Sequence, residues 1–367
     1  MIAPPKPSPL VVDAPQDPEA LIEEARRRTQ RRRRRNSSAA GLLLGVGVLV
    51  LSIHGWGGGR PSPSPPPRGV TIAAHPTVIA NGPLTLIRQA NGRGGIYTVG
   101  RHGLGRLVAR CRGCPEVEYI AWSPDGSRMA LGVNSYGGTT SADGLHVIDV
   151  ASGHDRQLTG GPQRAGGMYS PAWSPDGRWI AYTGDRPGTV ALITADGSQR
   201  ATVDTHLKSD LGWFTWSPDG TRIAFEAGIG AACSDPGSLG PACAVYEARL
   251  DGSDVRLLAR HAASPAWSPR GTVIAYEARC GIRLVTPAGV DATPGPHGGC
   301  AHIGVPGQPV FSPDGRKIAV NAPLHGARRG VYVMNADGSG LARLTGVTGH
   351  SDFGVARLAW QPVAASG

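Results

Sequence analysis

The sequence predicts an all-β fold: a six-bladed β-propeller of four-stranded antiparallel blades, closed by its N- and C-terminal strands and preceded by one transmembrane helix. Three observations carry this. A Trp-Ser-Pro-Asp-Gly phrase recurs at intervals of 43–51 residues, a period at which one supersecondary unit is copied and stacked. A short apolar strand follows each phrase, with a second Gly-containing turn further on. The two ends of the repeat region carry complementary fractions of one more blade.

The phrase starts at Trp122, Trp173, Trp216 and Trp267, takes Phe311 in place of Trp, and closes in worn form at Trp360-Gln361-Pro362. Ser, Pro with its fixed φ, Asp and a terminal Gly suit a type I turn whose Gly adopts positive φ and leads into the next strand. That strand reads Met129-Ala130-Leu131, Ile180-Ala181-Tyr182, Ile223-Ala224-Phe225, Ile274-Ala275-Tyr276 and Ile318-Ala319-Val320. Distal hairpin turns follow at Ser152-Gly153, Asp196-Gly197, Asp251-Gly252, Ala288-Gly289 and Asp337-Gly338. Four short strands per unit compose a propeller blade. Residues 84–87, 95–99 and 106–109 supply three strands of a blade without its first, and 355–360 supply a first strand without a sequel. Joined, they make the sixth blade. A linear β-solenoid is the alternative, but it has no need of matched part-blades at its ends.

These phrases, with Val333-Met334-Asn335-Ala336-Asp337-Gly338-Ser339, resemble the WD-like repeats of TolB-type six-bladed propellers. The resemblance covers residues 83–363 and departs at Arg270 for the turn Asp, Phe311 for Trp and Gln361 for Ser. It implies a non-enzymatic, protein-binding platform outside the inner membrane.

Ahead of the repeats the composition changes. The chain has 367 residues, 54 Gly, 32 Pro and only 17% charged residues, which fits many tight turns. Its net charge of +10 is no nucleic-acid signal, because eight Arg crowd between Arg26 and Arg35 beside an apolar run. Residues 1–38 read as a cytoplasmic basic segment, with Asp17-Pro18-Glu19 starting a short helix. Residues 39–56 carry no formal charge and as a helix rise about 27 Å, enough to span a hydrocarbon core. The Arg cluster marks the near side as cytoplasmic and can touch anionic lipid. An uncleaved single-pass signal anchor is the favoured reading. A cleaved signal peptide is the alternative, disfavoured by the long leader and the lack of a small-residue cleavage site. Residues 57–82 read as a spacer whose Pro61–Pro67 stretch favours extended polyproline II. Residues 364–367 are a tail.

Six cysteines fall into three local pairs: Cys111/Cys114, Cys233/Cys243 and Cys280/Cys300. An even count in an exported domain reads as disulfides, with connectivity open. Cys111-x-x-Cys114 also has a redox reading, but it follows a strand rather than opening a helix, so a structural bridge is favoured. His206, His261, His297, His302, His325 and His350 come from loops of different blades without metal-ligand spacing. The reading therefore expects neither a metal nor a cofactor.

No G-x-S-x-G elbow is present, and an appended α/β-hydrolase domain is not expected. Function is expected on the face with long, unequal loops, since variable loops on a rigid scaffold carry recognition. Tyr136, Tyr169, Trp213, Arg328, Arg329 and Phe353 are the interface-forming residue types there, while the repeat Trp residues are assigned to the core. The predicted function is a membrane-anchored, non-catalytic module for a protein or peptide partner in the bacterial envelope, periplasmic in placement. The alternative is an extracytoplasmic hydrolase, lyase or small-ligand sensor using the central channel.

Overall fold

A computed structural model describes residues 79–364, apart from 91–92, 112–113, 115–116, 135–140, 161–169, 229–242, 294–306, 323–329 and 347–356. Of the two units into which the chain divides, Met1–Ser62 lies outside the described residues, and Pro63–Gly367 contains the propeller. The basic segment and apolar run at 39–56 therefore also lie outside them. Among the described residues no helix is long and apolar enough to cross a membrane.

Among the described residues six antiparallel sheets are present. β1 (Ile79–Ala90), β2 (Arg93–Gly100) and β3 (Gly103–Ala109) join the last strand, β23 (Leu358–Ala364), in the order β23-β1-β2-β3. This is the predicted two-ended sixth blade. Its register pairs Leu84 with Trp360 and Leu86 with Leu358. β1 begins at Ile79, inside the stretch assigned to the spacer.

Blade one is β4 (Val117–Trp122), β5 (Arg128–Val133), β6 (Gly144–Asp149) and β7 (Asp155–Gln157). Blade two is β8 (Ala172–Trp173), β9 (Trp179–Thr183), β10 (Thr189–Thr194) and β11 (Arg200–Asp204). Blade three is β12 (Leu211–Trp216), β13 (Arg222–Ala227), β14 (Ala244–Arg249) and β15 (Arg256–Arg260). In blade four, β16 (Ala262–Trp267), β17 (Ile274–Ala278) and β18 (Gly281–Val285) form a three-stranded sheet. Among the described residues its outer edge carries a single Val285–Asp291 bridge. Blade five is β19 (Val310–Phe311), β20 (Lys317–Ala322), β21 (Gly330–Asn335) and β22 (Ala342–Gly346). The first strand of each blade touches the first strand of the next all the way round, β23 to β4 included. The ring is closed, which excludes the linear solenoid.

The core lies between blades. Trp179 and Leu192 of blade two pack with Leu211 and Phe225 of blade three, and Ile87 and Ile96 of blade six pack with Met129 and Leu131 of blade one. Each such side chain contributes about 1.5–3 kcal/mol by leaving water.

The turns form as their residues dictate. Gly126 N–H donates to the Ser123 carbonyl at 2.9 Å, and the Ser123 hydroxyl donates to Asp125 Oδ1 at 2.5 Å. Equivalent Ser–Asp bonds recur at Ser174–Asp176, Ser217–Asp219 and Ser312–Asp314. Where Arg270 replaces the Asp, its Nε donates instead to the Asp314 carbonyl of the next blade at 3.1 Å.

At three repeats the Trp of the phrase clasps the preceding blade. Trp173 Nε1 donates to the Ala121 carbonyl at 3.1 Å and Trp216 Nε1 to the Ala172 carbonyl at 3.0 Å. Trp122 Nε1 reaches Thr85 Oγ1 at 3.0 Å, and that hydroxyl donates onward to the Ala359 carbonyl.

Candidate functional site

Each first strand ends on the repeat aromatic, so equivalent positions from six blades meet around the axis. The aromatics and turn prolines, from Trp122 and Pro124 to Trp360 and Pro362, line a cavity of about 380 Å³ with contributions from all six blades. One residue before the aromatic stand Ala121, Ala172, Thr215, Ala266, Val310 and Ala359, which also line it. None of the lining residues is titratable; Thr215, Ser268 and Gln308 supply the polar side chains. The funnel can stack against apolar, aromatic or proline groups, and among the described residues none that lines it can exchange a proton with a substrate.

Three residues before each aromatic comes another set: Tyr119, Ser170, Trp213, Ser264, Gln308 and Arg357. Three of these meet. The Arg357 guanidinium lies 4.2 Å from the Trp213 ring centroid and 5.0 Å from that of Tyr119. Tyr119 and Trp213 meet edge-to-face at 5.1 Å. They belong to blades six, three and one. Blades three and six are opposite in a six-membered ring, so their side chains meet across the axis, where they plug the funnel's inner end.

Backbone irregularity aims the plug. Trp213 and Ser264 both adopt φ of 50°, unusual for any non-glycine residue and costly for a bulky one. Each sits in a register break, between Gly212 and Thr215 in β12 and between Ala263 and Ala266 in β16. Such bulges re-aim side chains.

Behind the plug lie two carboxyls at equivalent positions of adjacent blades. Glu226 pairs with Gly212 and Glu277 with Ala263, and both are buried, 1% and 6% exposed. Ser264 N–H donates to Glu226 Oε2 at 3.1 Å, and the Ser264 hydroxyl donates to Glu277 Oε2 at 3.5 Å. Burial pushes Glu226 up to about 8, against the Ser264 bond and the Arg357 charge and with help from Glu277. Burial likewise raises Glu277 to about 7, opposed by Arg357 and Ser264.

Residues 106–293, just over half of the chain, match the TolB β-propeller domain family. The chain belongs to that family. An uncharacterized protein of Agrobacterium fabrum is 29% identical to this TolB-family chain over 164 residues, covering 42% of this chain and 52% of that protein. An uncharacterized peptidase of Bacillus subtilis is 28% identical over 115 residues, 30% of this chain and 17% of the peptidase. The chain thus spans about half the length of the first relative and far less of the second. Among solved structures, TolB from Acinetobacter baumannii aligns with a TM-score of 0.53 at 18% identity, covering 76% of this chain and 66% of that one. A chain of a nidogen/laminin complex aligns with a TM-score of 0.54 at 13% identity, covering 76% and 98%. At these identities the structural likeness shows the fold alone.

On this TolB-family propeller one predicted interface residue, Trp213, falls differently from the loop reading. Trp213 is inside β12, 7% exposed, in the plug rather than on a solvent-facing loop; its bulge turns the ring toward the axis. Tyr136, Tyr169, Arg328, Arg329 and Phe353 lie outside the described residues. The structure bonds Cys111 to Cys114. Cys243 and Cys280 are also disulfide-bonded, while Cys233 and Cys300 lie outside the described residues. His206 and His261 are exposed, and the other four loop histidines lie outside the description.

Arg357, Tyr119, Glu226 and Glu277 join the site only through the fold. A signal for the acids is visible: Ile-Ala-Phe-Glu and Ile-Ala-Tyr-Glu each carry a charge at the same step of an otherwise apolar strand. The plug had none, since its three members are 94 to 238 residues apart.

Proposed function

We propose that this TolB-family propeller is a non-catalytic protein- or peptide-binding module of the bacterial envelope, and that the partner docks in the axial funnel. One observation carries the reading: all six blades present aromatic and proline side chains to one cavity, with no titratable group among its described lining residues. Rigid aromatic surface suits an extended, apolar or proline-bearing segment, and the aromatic–Arg plug gives that segment a floor. The absence of acid–base groups from the lining disfavours hydrolysis there, although one relative is named as a peptidase. Attachment by an uncleaved helix at 39–56, with the propeller extracytoplasmic, is supported by the uncharged run and the Arg cluster before it.

A peptide-display selection on the immobilised protein, counter-selected on Ala266→Arg and Val310→Arg, tests this reading. Both positions are partly exposed in the funnel wall. Enriched peptides are expected to bind these variants at least about tenfold more weakly, the cost of roughly 1.4 kcal/mol. Equal binding to the folded variants would refute the funnel as the docking element.

A further inference from the structure

Away from the axis, four potential ligands gather where blade six passes to blade one. Cys111 and Cys114 lie on the crossing from β3 to β4, His146 on β6 and Asp155 on β7. Their ligand atoms all fall within 4.8 Å of one another. Cys111, Cys114 and His146 are buried, and the Asp155 side chain is 17% exposed.

The contacts inside this cluster suit a cation better than a disulfide. Cys111 Sγ is 3.1 Å from Asp155 Oδ2 and 4.0 Å from His146 Nδ1, and His146 Nδ1 is 3.0 Å from Asp155 Oδ1. A disulfide sulfur has no proton to offer a carboxylate, so in that state the Asp155 Oδ2 contact gains no hydrogen bond. Tetrahedral zinc with its usual bond lengths sets its ligand atoms roughly 3.3–3.8 Å apart, close to these separations. His146 Nε2 donates to the Ala142 carbonyl at 2.9 Å, which leaves Nδ1 as the atom facing sulfur and carboxylate. An outer hydrogen bond of this kind fixes the tautomer of a metal-bound histidine.

We propose that the dithiol form of Cys111 and Cys114, with His146 and Asp155, is a four-ligand site for a divalent cation of the zinc class. The disulfide and the metal are then alternative states of one site. Reduction of the disulfide by an external dithiol delivers two electrons and two protons, giving two thiols and an oxidised reductant. Cation binding expels both thiol protons and any proton shared by Nδ1 and Asp155, and the sulfurs separate as their bond is lost. The disulfide closes a loop within the crossing itself, whereas the metal-bound state ties that crossing to β6 and β7, the outer strands of blade one. Two thiolates, one imidazole and one carboxylate select zinc-like ions over magnesium or calcium.

Cobalt(II) chloride titrated into the full chain, reduced with a thiol-free phosphine, tests this directly. One ion per chain is expected, with intense thiolate-to-cobalt charge-transfer absorption and the d–d bands of tetrahedral geometry. His146→Gln and Asp155→Asn should each weaken binding roughly tenfold or more, and the unreduced protein should give no such bands. Folding of both variants is checked in the disulfide state before reduction, and either folded variant suffices. A reduced chain without thiolate bands, or unchanged binding in a folded variant, would overturn the proposal.

Discussion

Arg357 and Trp213 come from opposite blades, and the guanidinium lies 4.2 Å from the indole centroid. Their contact bridges the axis of the ring. It also sets a positive charge near two buried carboxyls, because Arg357 opposes the rise in both Glu226 and Glu277. Arg357→Ala is expected to lower stability by about 2 kcal/mol, the scale of a desolvated cation–π contact. It should also raise both carboxyl titrations further. Urea unfolding, with carboxyl titration followed by infrared absorption, checks both parts. Unchanged titration would show that Arg357 does not reach the acids.

The acids give stability a pH dependence of definite sign. Their folded values of about 8 and about 7 stand above the ordinary 4.5. Between pH 4.5 and those values the folded chain holds protons that the unfolded chain has released. Their contribution is therefore fully present below 4.5 and is lost as pH rises through 7 and 8. Glu226→Gln with Glu277→Gln should flatten the stability profile across that window. Thermal unfolding at a series of pH values is the measurement, and a slope retained in the double variant would assign it elsewhere.

The interblade clasp is separable from tryptophan packing. Trp173→Phe keeps an aromatic ring but removes the donor to the Ala121 carbonyl. A loss of about 1 kcal/mol is expected from the missing bond, on top of the smaller ring's lost area. Trp179→Phe, in the same blade but on the second strand, is the comparison; equal losses in urea would indicate that packing alone is at work.

Two turn glycines separate backbone strain from collision. Gly126 and Gly153 both have φ of 69°. A Cβ at Gly126 would run into the Pro362 carbonyl oxygen, whereas one at Gly153 meets nothing within 4 Å. Gly153→Ala should cost about 1 kcal/mol, the ordinary left-handed penalty. Gly126→Ala should cost clearly more and loosen the last strand, whose Gln361 Nε2 donates to the Gly126 carbonyl at 3.1 Å. Equal midpoints in urea would contradict this close approach.

The fold was legible because every blade repeats its instructions locally. Ser123, Asp125 and Gly126 each act within a few residues, and the same trio returns around the ring. The candidate site was not. Trp122, Trp173, Trp216 and Trp267 read as core, and they are buried, yet closing the ring also turns them and the turn prolines toward a shared axis. Trp213 read as a loop residue because its strand is broken by a bulge, which no local pattern announces. His146 and Asp155 gave no metal signal, since their nearness to Cys111 depends on adjacent outer strands of blade one and the crossing that enters it.

The central claim is that a partner enters the funnel, and site-specific photo-crosslinking in native envelopes tests it most directly. A photoreactive side chain would replace Gln308 in the funnel wall, with Ser152 on an exposed distal turn as the comparison position. The account predicts a defined protein adduct from position 308 that is absent from position 152 and abolished by Ala266→Arg. No adduct from position 308, or the same adduct from both positions, would contradict it.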